Sequence, residues 1–169
     1  MTAVTGSEVV GRLVHVDTVE SLAARIVPGE AFPDWSDEPT PAGEVPTRLT
    51  VRDWVPDHVM VTIRAAASRT VDAQTGAPAI AVVVVVGALY EVRLVPPLSQ
   101  AQPPQLLLDT LSPDVLERLA RRALIDSRPF VRSAVHAASA TVSPTHPLLI
   151  TGLSPEQVQS FDLGAPTDS

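Results

Sequence analysis

The chain has 169 residues, a length typical of one domain with a hydrophobic core of its own. Its net charge of −7 argues against a general affinity for nucleic acid or anionic lipid, and the absence of cysteine excludes disulfides and thiolate metal sites. The four histidines have no metal-ligand spacing, and the sequence has no phosphate-binding loop, nucleophile elbow or zinc-protease motif. We therefore expect no enzymatic activity, no metal and no cofactor.

The N-terminal residues do not have the pattern of a secretion signal. Residues 1–12 (MTAVTGSEVVGR) contain neither a basic stretch nor an apolar stretch of the required length. We expect a cytoplasmic protein with a single domain over residues 1–169, in which the ends at 1–9 and 164–169 are flexible.

Alternation of apolar and polar residues predicts three β-strands, at Val10–Thr18, Arg48–Trp54 and His58–Ser68, and a valine-rich apolar run predicts a fourth at Ala79–Leu94. The last two strands are joined by a turn around Thr75–Gly76 and should pair as antiparallel neighbours. The segment Val19–Val27 fits either a helical turn or a continuation of the first strand.

A proline-rich acidic loop is predicted at Gly29–Pro46. Proline fixes the backbone and removes a hydrogen-bond donor, so no regular element is expected there. The loop contains Phe32 and Trp35, two of the few aromatic residues of the chain. These residues either anchor the loop to the body of the domain or line a binding surface.

The fourth predicted strand contains five consecutive valines, Val82–Val86. The apolar run ends at Glu91, which makes it too short for the roughly 20 residues of a membrane-spanning helix. Since β-branched side chains also disfavour a helix, we expect a strand that is covered on both faces. A second copy of the chain is one candidate for the second cover.

A long helix is predicted from Pro113 to about Ala140, with Ser112 as a favourable N-cap. Its apolar stripe keeps its register through Pro129, which indicates one kinked helix lying across the sheet. The stripe consists of Leu116, Leu119, Ala120, Ala123, Leu124, Ser127, Phe130, Val131, Ala134, Val135 and Ala138. Arginines off this stripe have no interleaved aromatic residues, so they fit a solvated face better than a nucleic-acid surface.

A short apolar segment at His146–Ile150 follows the helix. A second short helix is then predicted from Pro155 to Phe161, with Ser154 as its N-cap and with Val158 on the same side as Phe161. The predicted fold class is α+β: a four-stranded antiparallel sheet packed by a long proline-kinked helix and a short second helix.

Four features of the second half of the chain follow one another in a set order. They are Gly87-Ala88-Leu89-Tyr90 before the long helix, Pro129-Phe130-Val131-Arg132 inside it, the extended Pro147-Leu148-Leu149-Ile150, and the second helix with Val158 and Phe161. In these features the chain resembles the SecB family of protein-export chaperones. By the order of its elements the resemblance extends over Val10–Phe161. It implies an ATP-independent holdase that keeps unfolded client polypeptides extended along apolar grooves.

The resemblance also implies a homotetramer built as a dimer of dimers, in which a sister subunit covers the valine strand. The implied oligomer-interface residues are Val82, Val84, Val86, Ala134 and Ala138. The implied client-binding residues, drawn from the loop after the first strand, the second strand and the second helix, are Phe32, Trp35, Trp54, Leu149, Val158 and Phe161. Exposed apolar area of this kind binds promiscuously.

One departure from the family concerns the acidic, aromatic-containing stretch that contacts the export motor SecA. This stretch has no counterpart in Thr18–Val27, so the sequence does not predict whether the protein contacts SecA. An aggregation-prone antitoxin therefore fits as a client as well as an export precursor does. The alternative function is that of a structural or assembly subunit, for example a phage-encoded one, with the same order of elements and no client groove.

Overall fold

The computed structural model describes residues 8–35, 45–55, 57–95, 108, 111–151, 153 and 158–163. The elements, in chain order, are β1 (Glu8–Ile26), β2 (Thr47–Val55), β3 (His58–Arg69), β4 (Ala79–Val95), α1 (Pro113–Val142) and β5 (Val158–Leu163). The five strands form one sheet, and α1 packs on one face of it, mainly against β1 and β4. The predicted α+β class is confirmed.

The order of the strands across the sheet is β1-β4-β3-β2-β5. The first four pair with their neighbours in antiparallel orientation, as predicted. The β2–β3 turn contains Asp57 in the left-handed region, with φ of 63°. In the predicted β3–β4 turn, Gly76 has φ of 70° and the Asp72 carboxylate accepts a 2.9 Å hydrogen bond from the Gln74 amide.

The ambiguous segment Val19–Val27 continues the first strand almost to its end, because β1 is 19 residues long. The pairing of β1 with β4 skips one residue at Val14 and another at Val19, and both of these side chains are exposed. Such bulges re-aim single side chains and keep the rest of the strand in register. At about 3.3 Å per residue, β1 spans roughly 60 Å.

The first strand begins at Glu8, within the end that the sequence predicts to be flexible. Glu8 pairs with Val95 and Val9 pairs with Leu94, so the end of β4 supplies hydrogen-bond partners for the beginning of β1. Residues 1–7 and 164–169 lie outside the described residues.

The valine run lies at the centre of the core and is buried on both faces, as predicted, except at Val85, which is half-buried on the face opposite α1. Because β4 lies between β1 and β3, it has no free edge. Val82, Val84 and Val86 are fully buried in the main core together with the apolar side of α1. Alternation places Ala81 and Val83 on the opposite face, where they are buried as well.

The cover on that opposite face comes from the same chain. Phe32 and Trp35, which follow β1, pack against Ile26, Ala79 and Ala81. At this end of β4 the second cover is therefore the chain itself rather than a sister subunit.

The long helix is continuous through Pro129, as predicted, and ends at Val142. Its predicted apolar stripe is buried except at Phe130, which is 47% exposed at the margin of the stripe, and at Ala134, which is half-buried. Gly11 in β1 permits close approach, since a Cβ atom there would lie 2.9 Å from Leu119 Cδ1. No helix in the described part of the chain is both long and apolar enough to cross a membrane.

The predicted second helix is wrong, because Val158–Leu163 form β5, which pairs with β2 in parallel orientation at the edge of the sheet. The predicted N-cap, Ser154, lies outside the described residues. The pairing with β2 skips Gln159, so Val158 and Phe161 can both pack on the main core although they are three residues apart. The three-residue spacing that suggested a helix is thus satisfied by a bulged strand. The sheet has five strands of mixed orientation instead of four antiparallel ones.

Candidate functional site

The structure does not bring the six predicted client-binding residues together at one site. Phe32 and Trp35 lie on the face of the sheet opposite α1. The other four belong to β2, to β5 and to the connecting segment, by which we mean residues 143–153 between α1 and β5: Trp54, Leu149, Val158 and Phe161. The structure brings Val158 and Phe161 together in the main core and places Phe32 and Trp35 in a different cluster.

Phe32 and Trp35 are half-buried and hold their segment against the sheet. The Arg64 guanidinium of β3 adds a polar contact, since its Nη2 donates a 2.7 Å hydrogen bond to the Trp35 carbonyl oxygen. These contacts favour the anchoring role over the binding role for the two aromatic side chains. The part of the predicted acidic loop at residues 36–44 lies outside the described residues.

The connecting segment is fastened to the hairpin of β3 and β4 by one arginine. Arg69 Nη2 donates to the carbonyl oxygen of His146 at 3.0 Å and to that of Pro78 at 3.1 Å. The Ser143 hydroxyl donates to the same His146 oxygen at 3.0 Å. These contacts fix the point at which the chain leaves the helix.

Further along, the connecting segment runs beside α1 in the antiparallel direction. The Ser139 hydroxyl accepts a 2.8 Å hydrogen bond from the Leu148 amide, and Arg132 donates a 2.8 Å hydrogen bond to the Thr151 carbonyl oxygen. Leu148 and Ile150 pack on the main core. An extended backbone then directs the side chain between them outward, which explains why Leu149 is 78% exposed.

Trp54 is the second strongly exposed candidate, with 61% of its surface accessible. It lies near the end of β2, where the pairing with β3 shifts its register. The preceding residue, Asp53, accepts hydrogen bonds of 3.3 and 3.4 Å from the Leu108 amide. Trp54 and Leu149 therefore supply exposed apolar area on well-fixed backbone, whereas Val158 and Phe161 are half-buried against the core.

The predicted oligomer-interface residues are mostly core residues of the single chain. Val82, Val84 and Val86 are fully buried, and Ala138 is nearly so. Only Ala134, which is half-buried on α1, has surface left for a neighbour. A partner subunit would have to meet the side chains around these valines, because the valines themselves are enclosed.

The side chains of Tyr90 and Glu91 have pKa values that are shifted by contacts within the fold. Burial, followed by the 2.8 Å hydrogen bond to Asp126, raises the pKa of Tyr90 well above its ordinary value. Asp126 also accepts from Arg122, while hydrogen bonds from Arg93 and then Arg12 lower the pKa of Glu91. In the described part of the chain, no group of three or more His, Asp or Glu side chains could hold a metal ion.

Sequence reasoning missed the residues that position the connecting segment. Arg69 and His146 are 77 residues apart, and the pattern around Arg69 indicates only a strand end. Arginine occupies similar surface positions elsewhere, so no local signal distinguishes it. The pairing of β5 with β2 was missed for a related reason, since an unsatisfied strand edge is visible only once the sheet is assembled.

Comparisons with known proteins point to one fold. No protein-family model matches this sequence, and no curated protein matches it either. Among solved structures, the chain is similar to a SecB-like chaperone of Mycobacterium tuberculosis, solved in complex with a ChAD peptide from the HigA1 antitoxin. The TM-score is 0.52 at 14% sequence identity, and the match covers 83% of this chain and 88% of the chaperone chain. The protein therefore has a SecB-like fold.

Proposed function

We propose that this protein is an ATP-independent holdase chaperone, which binds unfolded or extended client polypeptides and keeps them from aggregating. The observation that carries the proposal is the SecB-like fold, shared over 83% of the chain with a chaperone that was solved bound to an antitoxin peptide. The clients would be export precursors or aggregation-prone segments such as those of an antitoxin.

Two exposed apolar side chains support this proposal. Trp54 and Leu149 expose apolar area, and promiscuous binding of unfolded chains requires exposed apolar area rather than a specific polar site. The net charge of −7 favours clients with basic segments.

A light-scattering assay tests the function directly. Citrate synthase diluted from guanidinium chloride aggregates, and an equimolar amount of this protein should suppress most of the scattering without added nucleotide. An unrelated acidic protein of similar size serves as the control. If the protein suppresses no more scattering than the control does, the holdase proposal is rejected and the structural or assembly subunit is favoured.

The proposal includes a homotetrameric assembly. Among the described residues, β1 pairs along one side only, with β4, and its other edge therefore presents backbone groups of the kind that natural proteins cover or use for association. The mass in solution, measured by light scattering after size exclusion, should correspond to about four chains. A mass of one chain over a range of micromolar concentrations would contradict the tetramer.

A further inference from the structure

The strand at one edge of the sheet is weakly attached compared with the others. β5 has 6 residues and pairs with β2 at five positions, whereas β1 pairs with β4 at 17. It is also the one described strand in parallel orientation, which is slightly less stable per residue than antiparallel pairing. Its side chains Val158 and Phe161 are half-buried, while β2 residues Leu49 and Val51 beneath this edge are enclosed.

The register of β5 defines what the edge of β2 accepts. Phe161 lies opposite Leu49 on the core side of the sheet. The next pair along the two strands joins Asp162 to Thr50.

We propose that the edge of β2 is the acceptor site for client polypeptides and that β5 is an internal occupant which a client displaces by strand exchange. This inference rests on the proposed holdase function. A free strand edge gives affinity through the main chain and needs little sequence information, which suits a chaperone that accepts many unfolded chains.

The occupant specifies the preferred client segment. It is an extended stretch that runs parallel to β2, with apolar side chains at the positions of Val158 and Phe161. β5 must leave before a client can pair with β2. The apparent affinity for the client is therefore the intrinsic affinity multiplied by the fraction of molecules in which β5 is undocked.

A disulfide lock on the full-length chain tests the exchange. Arg48 and Ser160 are direct partners in the β2–β5 pair, and neighbouring strands lie about 4.8 Å apart, within the Cα separation that a disulfide bridges. The chain has no cysteine, so Arg48→Cys/Ser160→Cys introduces the only two thiols. The probe is reduced, carboxymethylated α-lactalbumin, which is permanently unfolded, labelled for fluorescence anisotropy.

We expect the oxidised double variant to bind this probe at least about 10-fold more weakly than its reduced form, and dithiothreitol to restore binding. The single variants Arg48→Cys and Ser160→Cys, treated in the same way, should show no redox dependence. Equal binding by the oxidised and reduced double variant would overturn the exchange and leave the holdase function intact. Failure of the disulfide to form in the folded protein would overturn it too, because β5 would not lie beside β2. Absence of binding by the unaltered protein would remove the holdase function itself.

A second full-length variant gives an effect of opposite sign. Phe161→Ala removes a side chain that packs β5 against the main core, so β5 should leave β2 more often. The affinity for the probe should therefore rise by about 3- to 10-fold. If Phe161 instead contacted the client directly, the same substitution would lower the affinity, and that result would overturn the inference. Phe130→Ala, which removes an exposed phenylalanine from α1, is the matched control and should leave the affinity unchanged.

Discussion

The two ends of the sheet are built differently. At one end β1 and β4 pair over 17 positions in antiparallel orientation, and α1 covers them with fully buried side chains such as Ala120 and Leu124. At the other end β2 is flanked by the short parallel β5, which α1 covers much less.

This difference separates the source of stability from the surface available for binding. Buried apolar area holds the β1–β4 end, so local opening there requires most of the free energy of unfolding. At the β2–β5 end, exposed apolar side chains and half-buried strand residues leave smaller barriers to local rearrangement. A protein that must hold unfolded chains without unfolding itself benefits from this division.

The largest effect is expected at the β1–β4 end. The side chain of Leu124 on α1 is fully buried in the main core between the helix and the sheet. Leu124→Ala therefore removes buried methyl groups and leaves a cavity. We expect a loss of about 2–5 kcal/mol in the free energy of unfolding, measured by urea denaturation. Client binding per folded molecule should not change, because Leu124 has no exposed surface.

Ile125→Ala is the matched control for that substitution. Ile125 follows Leu124 on the same helix and is 46% exposed, so its truncation should cost less than about 1 kcal/mol. Equal losses for the two variants would mean that α1 does not cover β1 and β4 with the face described above.

A smaller effect, visible only at high pH, is expected from Tyr90. The chain contains a single tyrosine and neither cysteine nor lysine, so Tyr90 is the one side chain whose ordinary pKa lies between about 9 and 11.5. Burial first, and then the hydrogen bond to Asp126, raise its pKa in the folded state above that of the unfolded chain. The folded protein thus binds more protons than the unfolded chain above pH 10. Stability that is fully present below pH 10 should therefore be lost with rising pH, by at most about 1.4 kcal/mol per pH unit.

Two measurements check the predicted loss of stability through Tyr90 at high pH. Tyrosinate absorbance at 295 nm should titrate well above pH 10 in the folded protein and near pH 10 in urea. Tyr90→Phe should flatten the dependence of stability on pH over the same range, because the titrating group is gone. An equally steep dependence in the Tyr90→Phe variant would show that another process unfolds the protein at high pH.

The β1–β4 end could be predicted well from the sequence because its signals are local. Five consecutive valines favour a buried strand, and the apolar spacing from Leu116 to Ala138 favours a helix that crosses it. Both predictions are confirmed with ends displaced by a few residues. Phe130 departs from the pattern because it lies at the margin of the stripe, where a small rotation of the helix decides between burial and exposure.

The β2–β5 end could not be predicted in the same way because its signals are tertiary. Ser154 and Pro155 form a good local start for a helix, yet Val158–Leu163 join the sheet, where the edge of β2 offers backbone partners. For Phe32 and Trp35 the sequence left two roles open, and contacts with Ala79 and Arg64, both distant along the chain, favour anchoring.

The smallest effect on stability is expected for Trp54→Ala, which distinguishes the two ends most sharply. Trp54 is 61% exposed, so its removal should change the free energy of unfolding by about 0.5 kcal/mol or less. If the β2–β5 end binds clients, the same substitution should weaken binding of reduced, carboxymethylated α-lactalbumin by about 5-fold or more, since exposed tryptophans dominate many interfaces.

Trp35→Ala is the matched control: it removes a half-buried anchor and should lower the free energy of unfolding by about 1–3 kcal/mol while binding per folded molecule stays within about 2-fold. If Trp35→Ala reduced binding and Trp54→Ala reduced only stability, clients would bind on the face opposite α1, and the assignment of the two ends would have to be reversed.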